Sequence, residues 1–183
     1  MNKISSKTAV KVIYWNGVAA ILIVCLAGIS IIRKIHQYDT LIVRISRTHD
    51  IDPRLVAAMI WKESRFRPHD VGKAGEIGLM QVTDVVGYEW AQAQNVKNFV
   101  KHDLFNPETN IKVGTWYLAK AINYWNRYSD AIPFALAEYN AGRSNAKRWS
   151  KNASDSIAFC ETITYPTTKR YIKDILERYR GGI

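Results

Sequence analysis

Two different apolar patterns divide the chain. Near the N-terminus, residues 12–32 form an uncharged and mostly apolar run, VIYWNGVAAILIVCLAGISII. From about residue 40 onward, apolar side chains recur every three or four positions, which places them on one face of an α-helix. No alternating strand pattern longer than a few residues interrupts that spacing. The patterns therefore predict a mainly α domain with a separate apolar segment in front of it.

Local signals predict where the first helix of this domain begins. Asp52 precedes Pro53, the order typical of an N-cap followed by the first helical turn. The inner stripe of this predicted helix comprises Val56, Met59, Ile60 and Glu63. Glycines at positions 72, 75 and 78 then indicate a loop over 68–78. The stripe therefore ends on a carboxylate, directly before a glycine-containing loop.

Three further helices are predicted along the chain. One begins at Asn106-Pro107, a shorter one follows Asp130 and ends at Gly142, and the last begins at about Thr168. Their inward-facing positions are Ile111, Leu118, Ile122 and Trp125 in the first, and Ile172, Ile175, Leu176 and Tyr179 in the last. We therefore expect a helical domain over residues 39–183.

The N-terminal run has the length of a membrane-spanning helix. At about 1.5 Å per residue, residues 12–32 span roughly 31 Å, close to the thickness of a hydrocarbon core. Tyr14 and Trp15 lie near one end, where interfacial aromatic residues are common. Lysines at 3, 7 and 11 favour a cytoplasmic N-terminus, although Arg33 and Lys34 follow the run. We therefore predict a cytoplasmic tail, an anchor at 12–32 and a short tether ending at 38.

A cleaved signal peptide is the alternative interpretation of the same run. Cleavage after Ala27 is consistent with the small residues there, but the apolar run continues to residue 32, which favours an uncleaved anchor. In both interpretations the helical domain is exported. The predicted location is the inner membrane, crossed once, with the domain in the periplasm.

Charge and cysteine content narrow the classes of partner. The formal net charge is +10, from 26 Lys and Arg against 16 Asp and Glu, so a polyanionic partner is expected. Nucleic acid, anionic lipid and bacterial cell wall are all candidates on charge alone, and the export segment argues against nucleic acid. Cys25 and Cys160 suggest neither a disulfide framework nor a metal site. No metal or cofactor is expected.

Glu63 is the candidate for chemistry. A glutamate late in a helix is often simply solvated, but the spacing directs this one inward. Burying a carboxylate is costly unless it is paired or protonated, so a buried carboxylate often serves a function. The following glycine-containing loop allows a backbone or a ligand to come close. These features point to an acid or base at Glu63.

Four short motifs resemble those of one enzyme family. They are "ES" at 63–64, "GLMQV" at 78–82, "AEYNAG" at 137–142 and the tail "DSIAFCETITYPTTKRYIKDIL" at 155–176. Their order and approximate spacing resemble lytic transglycosylases of the soluble Slt type, which have a goose-type lysozyme-like fold. The resemblance covers roughly residues 40–180.

The resemblance implies a role for each motif. Glu63 would be the single catalytic acid/base, with Glu161 and Tyr171 as its support. The residues implied to bind substrate are Ser64, Met80, Gln81, Tyr139 and Asn140. Packing and helix ends are the alternative explanation of "GLMQV" and "AEYNAG". The chain departs from the family at Gly72, where many relatives have serine, at Glu76-Ile77 in the "GEIG" turn, and at Thr167-Thr168, where "ET" is usual.

The implied reaction is cleavage of peptidoglycan without water. Common glycosidases use two carboxylates, whereas only Glu63 has a motif behind it here. The family cleaves the β-1,4 bond between N-acetylmuramic acid and N-acetylglucosamine and forms 1,6-anhydromuramoyl products. Two alternatives stay open: a muramidase that transfers to water, and a catalytically silent peptidoglycan-binding component of a secretion, pilus or phage apparatus. The implied partners are glycan strands, the inner membrane and cell-wall or secretion machinery.

Overall fold

The computed structural model describes residues 14–16, 18, 20–26, 28 and 36–181. The chain divides into two units, residues 1–39 and residues 40–183. Much of the predicted anchor at 12–32 lies outside the described residues, and those that are described there are helical. None of the helices formed by the described residues is long and apolar enough to cross a membrane.

The described residues from 39 onward form eight α-helices and one short 3₁₀ helix. They are α1 (Asp39–Arg47), α2 (Pro53–Ser64), α3 (Asp84–Ala93), the 3₁₀ helix (Lys101–Phe105), α4 (Pro107–Tyr124), α5 (Ile132–Ala141), α6 (Arg143–Ser150), α7 (Ser156–Thr162) and α8 (Pro166–Gly181). In the described part of the chain, extended pairing is limited to isolated bridges from Ile77 to Val71 and Val82. The prediction of a mainly α domain is therefore confirmed.

The predicted start of α2 is confirmed in detail. The Asp52 side chain accepts a hydrogen bond from the backbone N–H of Arg54, and proline occupies the first turn. Val56, Met59 and Ile60 are completely buried, as the spacing predicted. Glu63 lies one turn further along and is partly exposed. The helix therefore holds its last carboxylate at the rim of the core.

The other predicted helix ends are close to those observed. Asn106 caps α4, and Gly142, with φ of 83°, caps α5. The last helix begins at Pro166, two residues before the predicted start. Most of the predicted stripe positions are buried, whereas Ile122, Leu176 and Tyr179 are partly exposed.

Helix α5 lies at the centre of the domain and contacts α4, α6, α7 and α8. Phe134 on α5 stacks between Trp125, at 5.4 Å between ring centroids, and Phe159, at 3.9 Å. All three are completely buried, and burying a side chain of this size stabilises a fold by roughly 1.5–3 kcal/mol. This aromatic stack fixes α5, while α2 packs along α8. The end of α2, the end of α5 and the first turns of α8 supply the residues described next.

Candidate active site

The carboxylate of Glu63 is held by a tyrosine from the far end of the chain. Its Oε1 accepts a hydrogen bond of 2.5 Å from the Tyr171 hydroxyl on α8. Tyr171 is buried, with 3% exposure, so its hydroxyl is fixed by packing. In the described part of the chain no second hydrogen bond reaches Glu63. Oε1 is therefore engaged by Tyr171, whereas no hydrogen bond from the described residues reaches Oε2.

Burial adjusts the acidity of Glu63 to the neutral range. The pKa of the carboxyl is raised from 4.5 to about 7; burial is the largest cause, and the negative charge of Glu76 acts in the same direction. The Tyr171 hydrogen bond and the positive charge of Lys62 both lower the pKa, by less than burial raises it. A carboxyl of this kind exists in both protonation states near neutral pH, as a general acid and base requires.

The neighbouring lysine does not neutralise Glu63 by direct contact. Lys62 Nζ lies 2.6 Å from Asp174 Oδ2 on α8. The cation is therefore paired with a different carboxylate, and burial remains the dominant influence on Glu63.

Ser64 and Met80 were implied by the resemblance to bind substrate. Ser64 is 1% exposed, and its hydroxyl donates to the Leu79 carbonyl at 2.8 Å. The Met80 side chain is completely buried, and its carbonyl accepts from the Tyr139 hydroxyl at 2.9 Å. Both side chains are buried in this structure, and substrate binding by Ser64 and Met80 stays a prediction. Both residues hold the 78–82 loop against α2 and α5.

A buried asparagine, which the sequence did not identify, organises that loop. Asn110 on α4 accepts from the Met80 backbone N–H and donates to the Ile77 and Leu104 carbonyls, each at 2.8 Å. Gly78 has φ of 78°, and a Cβ there would lie 2.5 Å from Asn110 Nδ2. The close approach therefore requires glycine at 78.

Gln81 lies on the accessible side of the loop. Its backbone has φ of 45°, an uncommon conformation for a residue other than glycine. Its side-chain amide donates to the carbonyls of Asp70 at 3.2 Å and Gly78 at 3.0 Å. The amide orientation is thus fixed before any ligand binds.

The end of α5 contributes Tyr139 and Asn140. Tyr139 is partly exposed, its ring lies 5.5 Å from that of Tyr117, and burial raises the pKa of its hydroxyl well above 10. Asn140 is exposed and its Oδ1 accepts from the Thr168 hydroxyl at 2.8 Å. The nearby charge of Glu63 also raises the Tyr139 pKa, so Glu63 and Tyr139 belong to one site.

Glu161, which was predicted to support this site, lies at the surface in this structure. Its side chain is 82% exposed and lies 3.7 Å from Lys169 Nζ. The reason is helical geometry. Phe159 directs its side of α7 into the core, and a residue two positions later faces the opposite way.

The buried acidic residue is instead Glu138, within the "AEYNAG" motif. It is completely buried and accepts hydrogen bonds from Trp125 Nε1 at 2.9 Å and from Arg143 Nε and Nη2 at 2.9 and 2.7 Å. An acid directly after the apolar run 132–137, with an arginine five residues later, was the sequence signal that could have identified it. Glu138 ties α5 to α4 and α6 behind the site.

The departures at Gly72 and Glu76 involve the same space. A Cβ at position 72 would lie 2.3 Å from Glu76 Oε2 and 2.7 Å from Gln81 Oε1. Glu76 Oε2 also accepts from the Ala74 backbone N–H at 3.0 Å. The Glu76 carboxylate therefore fills the volume that a side chain at 72 would need.

Among the described residues, no group of three or more His, Cys, Asp or Glu could hold a metal ion.

Comparison with known proteins agrees with this architecture. The structure of the 70 kDa soluble lytic transglycosylase of Escherichia coli superposes with a TM-score of 0.70 at 27% identity, over 79% of this chain and 24% of that one. The described domain therefore has the helical lysozyme-like fold of that protein. The same type of enzyme has been solved in complex with bulgecin A, with a TM-score of 0.71.

The family follows from the sequence match. The Transglycosylase SLT domain matches residues 40–159, and the chain belongs to that family. The soluble lytic murein transglycosylase of Salmonella typhimurium is 30% identical over 143 residues, covering 76% of this chain and 22% of the relative. Membrane-bound lytic murein transglycosylase C of Salmonella paratyphi B is 30% identical over 135 residues, covering 66% and 35%. The chain thus spans well under half of either relative's length.

Proposed function

We propose that this domain is a peptidoglycan lytic transglycosylase that cleaves the β-1,4 bond between N-acetylmuramic acid and N-acetylglucosamine. The observation that carries the proposal is the Glu63 carboxyl, whose pKa is raised to about 7 and whose Oε1 is held by Tyr171. Relatives of this family are named lytic murein transglycosylases. The proposed products carry a 1,6-anhydromuramoyl end.

The proposed reaction begins with proton donation. Protonated Glu63 gives its proton from Oε2 to the bridging oxygen, and the bond to the anomeric carbon breaks. The positive charge that develops on the sugar is shared with the acetamido group of the same residue. Glu63 then takes a proton from the muramoyl 6-hydroxyl, whose oxygen bonds to the anomeric carbon. The acid is regenerated, and no water is consumed.

The surroundings of Glu63 suit both steps. Common retaining glycosidases need a second carboxylate as nucleophile, whereas here the substrate's own groups take that role. The Tyr171 hydrogen bond stabilises the carboxylate formed after proton donation. Gln81, Tyr139 and Asn140 are the proposed sugar contacts, because Gln81 and Tyr139 are partly exposed, Asn140 is exposed, and a hydrogen bond fixes the polar group of each.

A muramidase is the second candidate, and one observation favours it. Glu76 lies close enough for its charge to raise the pKa of Glu63. A second carboxylate near an acid can activate water, as inverting glycosidases do. The products distinguish the two reactions, because a hydrolase leaves a reducing end that is heavier by one water.

The experiment is mass spectrometry of muropeptides after purified sacculi are incubated with wild type and with Glu63→Gln. We expect wild type to release anhydromuropeptides. In the variant the rate of release should fall by about 10²–10⁴-fold or more, because that range is the usual contribution of a general acid–base. Circular dichroism and binding of a glycan fragment check that the variant is folded.

Each outcome decides between candidates. Retention of more than roughly a tenth of wild-type activity would remove Glu63 from the catalytic role. Reducing ends in place of anhydro ends would establish the muramidase. Binding without cleavage by wild type would favour a silent component of cell-wall or secretion machinery.

We also propose that residues 12–32 anchor the protein in the inner membrane, with a tail and tether completing 1–38 and the domain at 39–183 in the periplasm. Large apolar side chains at 21–24 and 26 are more than half exposed, which is costly in water and favourable in lipid. Fractionation and the mass of the mature protein test this. A soluble protein that begins near Gly28 would establish a cleaved signal peptide instead.

A further inference from the structure

A cavity of about 470 Å³ lies beside the helix that carries Glu63. Its lining residues are Trp61, Lys62, Arg65, Asp174, Glu177 and Arg178. Glu63 is not among them, but the cavity follows the same seam between α2 and α8. Along α8, Tyr171 contacts Glu63 and Asp174, one turn later, contacts Lys62. The cavity therefore begins about one helical turn from the proposed catalytic carboxyl.

Two arginines in this cavity have no carboxylate partner. Lys62 is paired with Asp174 at 2.6 Å, and Glu177 lies 3.7 Å from Lys173. Within the described residues, neither Arg65 nor Arg178 has a carboxylate within 4.0 Å of its guanidinium. The positive charge that is left over in the cavity therefore belongs to these two side chains.

One tryptophan ring orients both guanidinium groups. Arg178 Cζ lies 4.2 Å from the centroid of the Trp61 ring, and Arg65 Cζ lies 5.6 Å from it. Burial, and next the positive charge of Arg65, lower the pKa of Arg178. The like charges oppose each other at this site, and an anion placed between them would relieve that repulsion.

The backbone at Arg65 is also unusual. It caps α2 in the left-handed conformation, with φ of 51° and ψ of 43°. Glycine adopts this conformation without steric cost, whereas a residue with a Cβ is strained there. The chain accepts this cost at a position that brings a guanidinium beside Trp61.

We propose that Trp61, Arg65 and Arg178, the arginine pocket, bind a carboxylate of the peptide attached to the glycan strand. The inference rests on the proposed function, because it assigns the peptide of that same substrate. A planar guanidinium matches a carboxylate through two parallel hydrogen bonds, and stacking on an aromatic ring fixes its plane in advance. The volume also falls within the range of binding sites for small ligands. The pocket would select strands that carry peptides next to the bond that Glu63 cleaves.

The test compares two substrates and two double variants of the full chain. The substrates are glycan strands with their peptides and the same strands after an amidase has removed the peptides. The double variant Arg65→Gln with Arg178→Gln removes both positive charges of the arginine pocket. Arg127→Gln with Arg148→Gln is the matched control, because each of these exposed arginines also lies over a tryptophan ring. Both variants change the net charge by the same amount.

We expect the pocket variant to raise KM about tenfold on peptide-bearing strands, with kcat unchanged. Tenfold corresponds to about 1.4 kcal/mol, and the loss is expected because the variant removes charge-assisted hydrogen bonds to the carboxylate. On stripped strands the pocket variant should match wild type, and the control should match it on both substrates. An equal loss on both substrates, or no change on either, would overturn the proposal.

A binding measurement separates this proposal from the proposed function. Folded Glu63→Gln is titrated with a cell-wall tripeptide that has free carboxylates, with its fully amidated form and with inorganic phosphate. Of the three ligands, we expect only the tripeptide with free carboxylates to bind. Adding Arg65→Gln and Arg178→Gln to this variant should abolish that binding. Equal binding of phosphate would overturn the assignment to peptide and indicate a general oxyanion site. Pocket-dependent tripeptide binding by a protein whose wild type cleaves neither substrate would contradict the proposed function and leave the pocket standing.

Discussion

Glu63 and Glu138 are both acidic residues placed against the core, yet their surroundings differ. Glu138 is completely buried and accepts two hydrogen bonds from Arg143 and one from Trp125. Glu63 is partly exposed, and in the described part of the chain its only hydrogen bond comes from the neutral hydroxyl of Tyr171. The Glu138 carboxylate ties helices together through a cation, whereas the Glu63 carboxyl has no cation bound to it and can gain and lose a proton near neutral pH.

The largest effect on stability is expected from Glu138→Gln. The substitution leaves Arg143 without its carboxylate, and breaking a buried pair costs about 3–5 kcal/mol. Because the Arg143 side chain is 35% exposed, we expect the lower end, about 3 kcal/mol. Denaturant unfolding measures it, and activity per folded molecule should persist.

The matched control is Glu89→Gln. Glu89 pairs with Lys120 on the surface, with 43% of its side chain exposed, so its loss should cost no more than about 1 kcal/mol. If Glu138→Gln abolished activity while unfolding like wild type, Glu138 would belong to the catalytic group and the comparison would fail.

Glu63→Gln should change stability in the opposite direction, and the difference should grow as pH rises from about 4.5 to about 7. Because the pKa of Glu63 is raised from 4.5 to about 7 in the folded protein, its contribution to stability is complete below about pH 4.5. It is lost as pH rises to about 7. Glutamine does not titrate. We therefore expect equal stability near pH 4, and a variant more stable by up to about 3 kcal/mol near pH 8.5. A pH-independent difference would contradict the raised pKa.

Tyr171→Phe should move the pH profile of activity upward. The Tyr171 hydrogen bond lowers the pKa of Glu63, so its removal raises that pKa and extends the acid form to higher pH. Stability should fall by about 0.5–1.5 kcal/mol. Tyr179→Phe is the control. Tyr179 lies on α8, as Tyr171 does, and its hydroxyl is 3.3 Å from the carboxylate of a different acid, Asp52. A profile that moves equally in both variants would remove Tyr171 from its role at Glu63.

The smallest effect is expected from Glu76→Gln, which should move the profile downward. The Glu76 charge raises the pKa of Glu63, but burial is the larger cause. Kinetics across pH measure this, and Glu161→Gln makes the same change of charge at an exposed position. If Glu161→Gln moved the profile and Glu76→Gln did not, the placement of Glu161 away from the site would be wrong.

Local sequence signals predicted the helix that carries Glu63, but they did not predict which neighbouring side chains face the site. Asp52 and Pro53 predicted where α2 begins, and the apolar stripe predicted the position of Glu63. Ser64 lies one residue further along the helix, which turns its side chain by about 100° and here directs the hydroxyl into the core. A motif therefore names neighbours along the chain without saying which of them face the ligand.

Contacts between distant parts of the chain account for what the sequence did not reveal. Asn110 is 30 residues from Met80, and Arg178 is 117 residues from Trp61. Neither lies within a motif, and no local periodicity brings such pairs together. The tyrosine at 171 was anticipated from its motif, but its contact with a carboxyl 108 residues away appears only in the folded chain.

The shared space at positions 72 and 76 has a consequence for how such a loop can change. A side-chain atom at 72 and the carboxylate at 76 would overlap, at 2.3 Å from Cβ to Oε2. Glycine at 72 with a long acid at 76, and a larger residue at 72 with a shorter one at 76, are therefore two ways to fill the same space. A side chain added at 72 would displace the flexible end of Glu76, and with it a charge that raises the pKa of Glu63. Sequence changes in this turn are therefore coupled to the pKa of Glu63, which lies on α2.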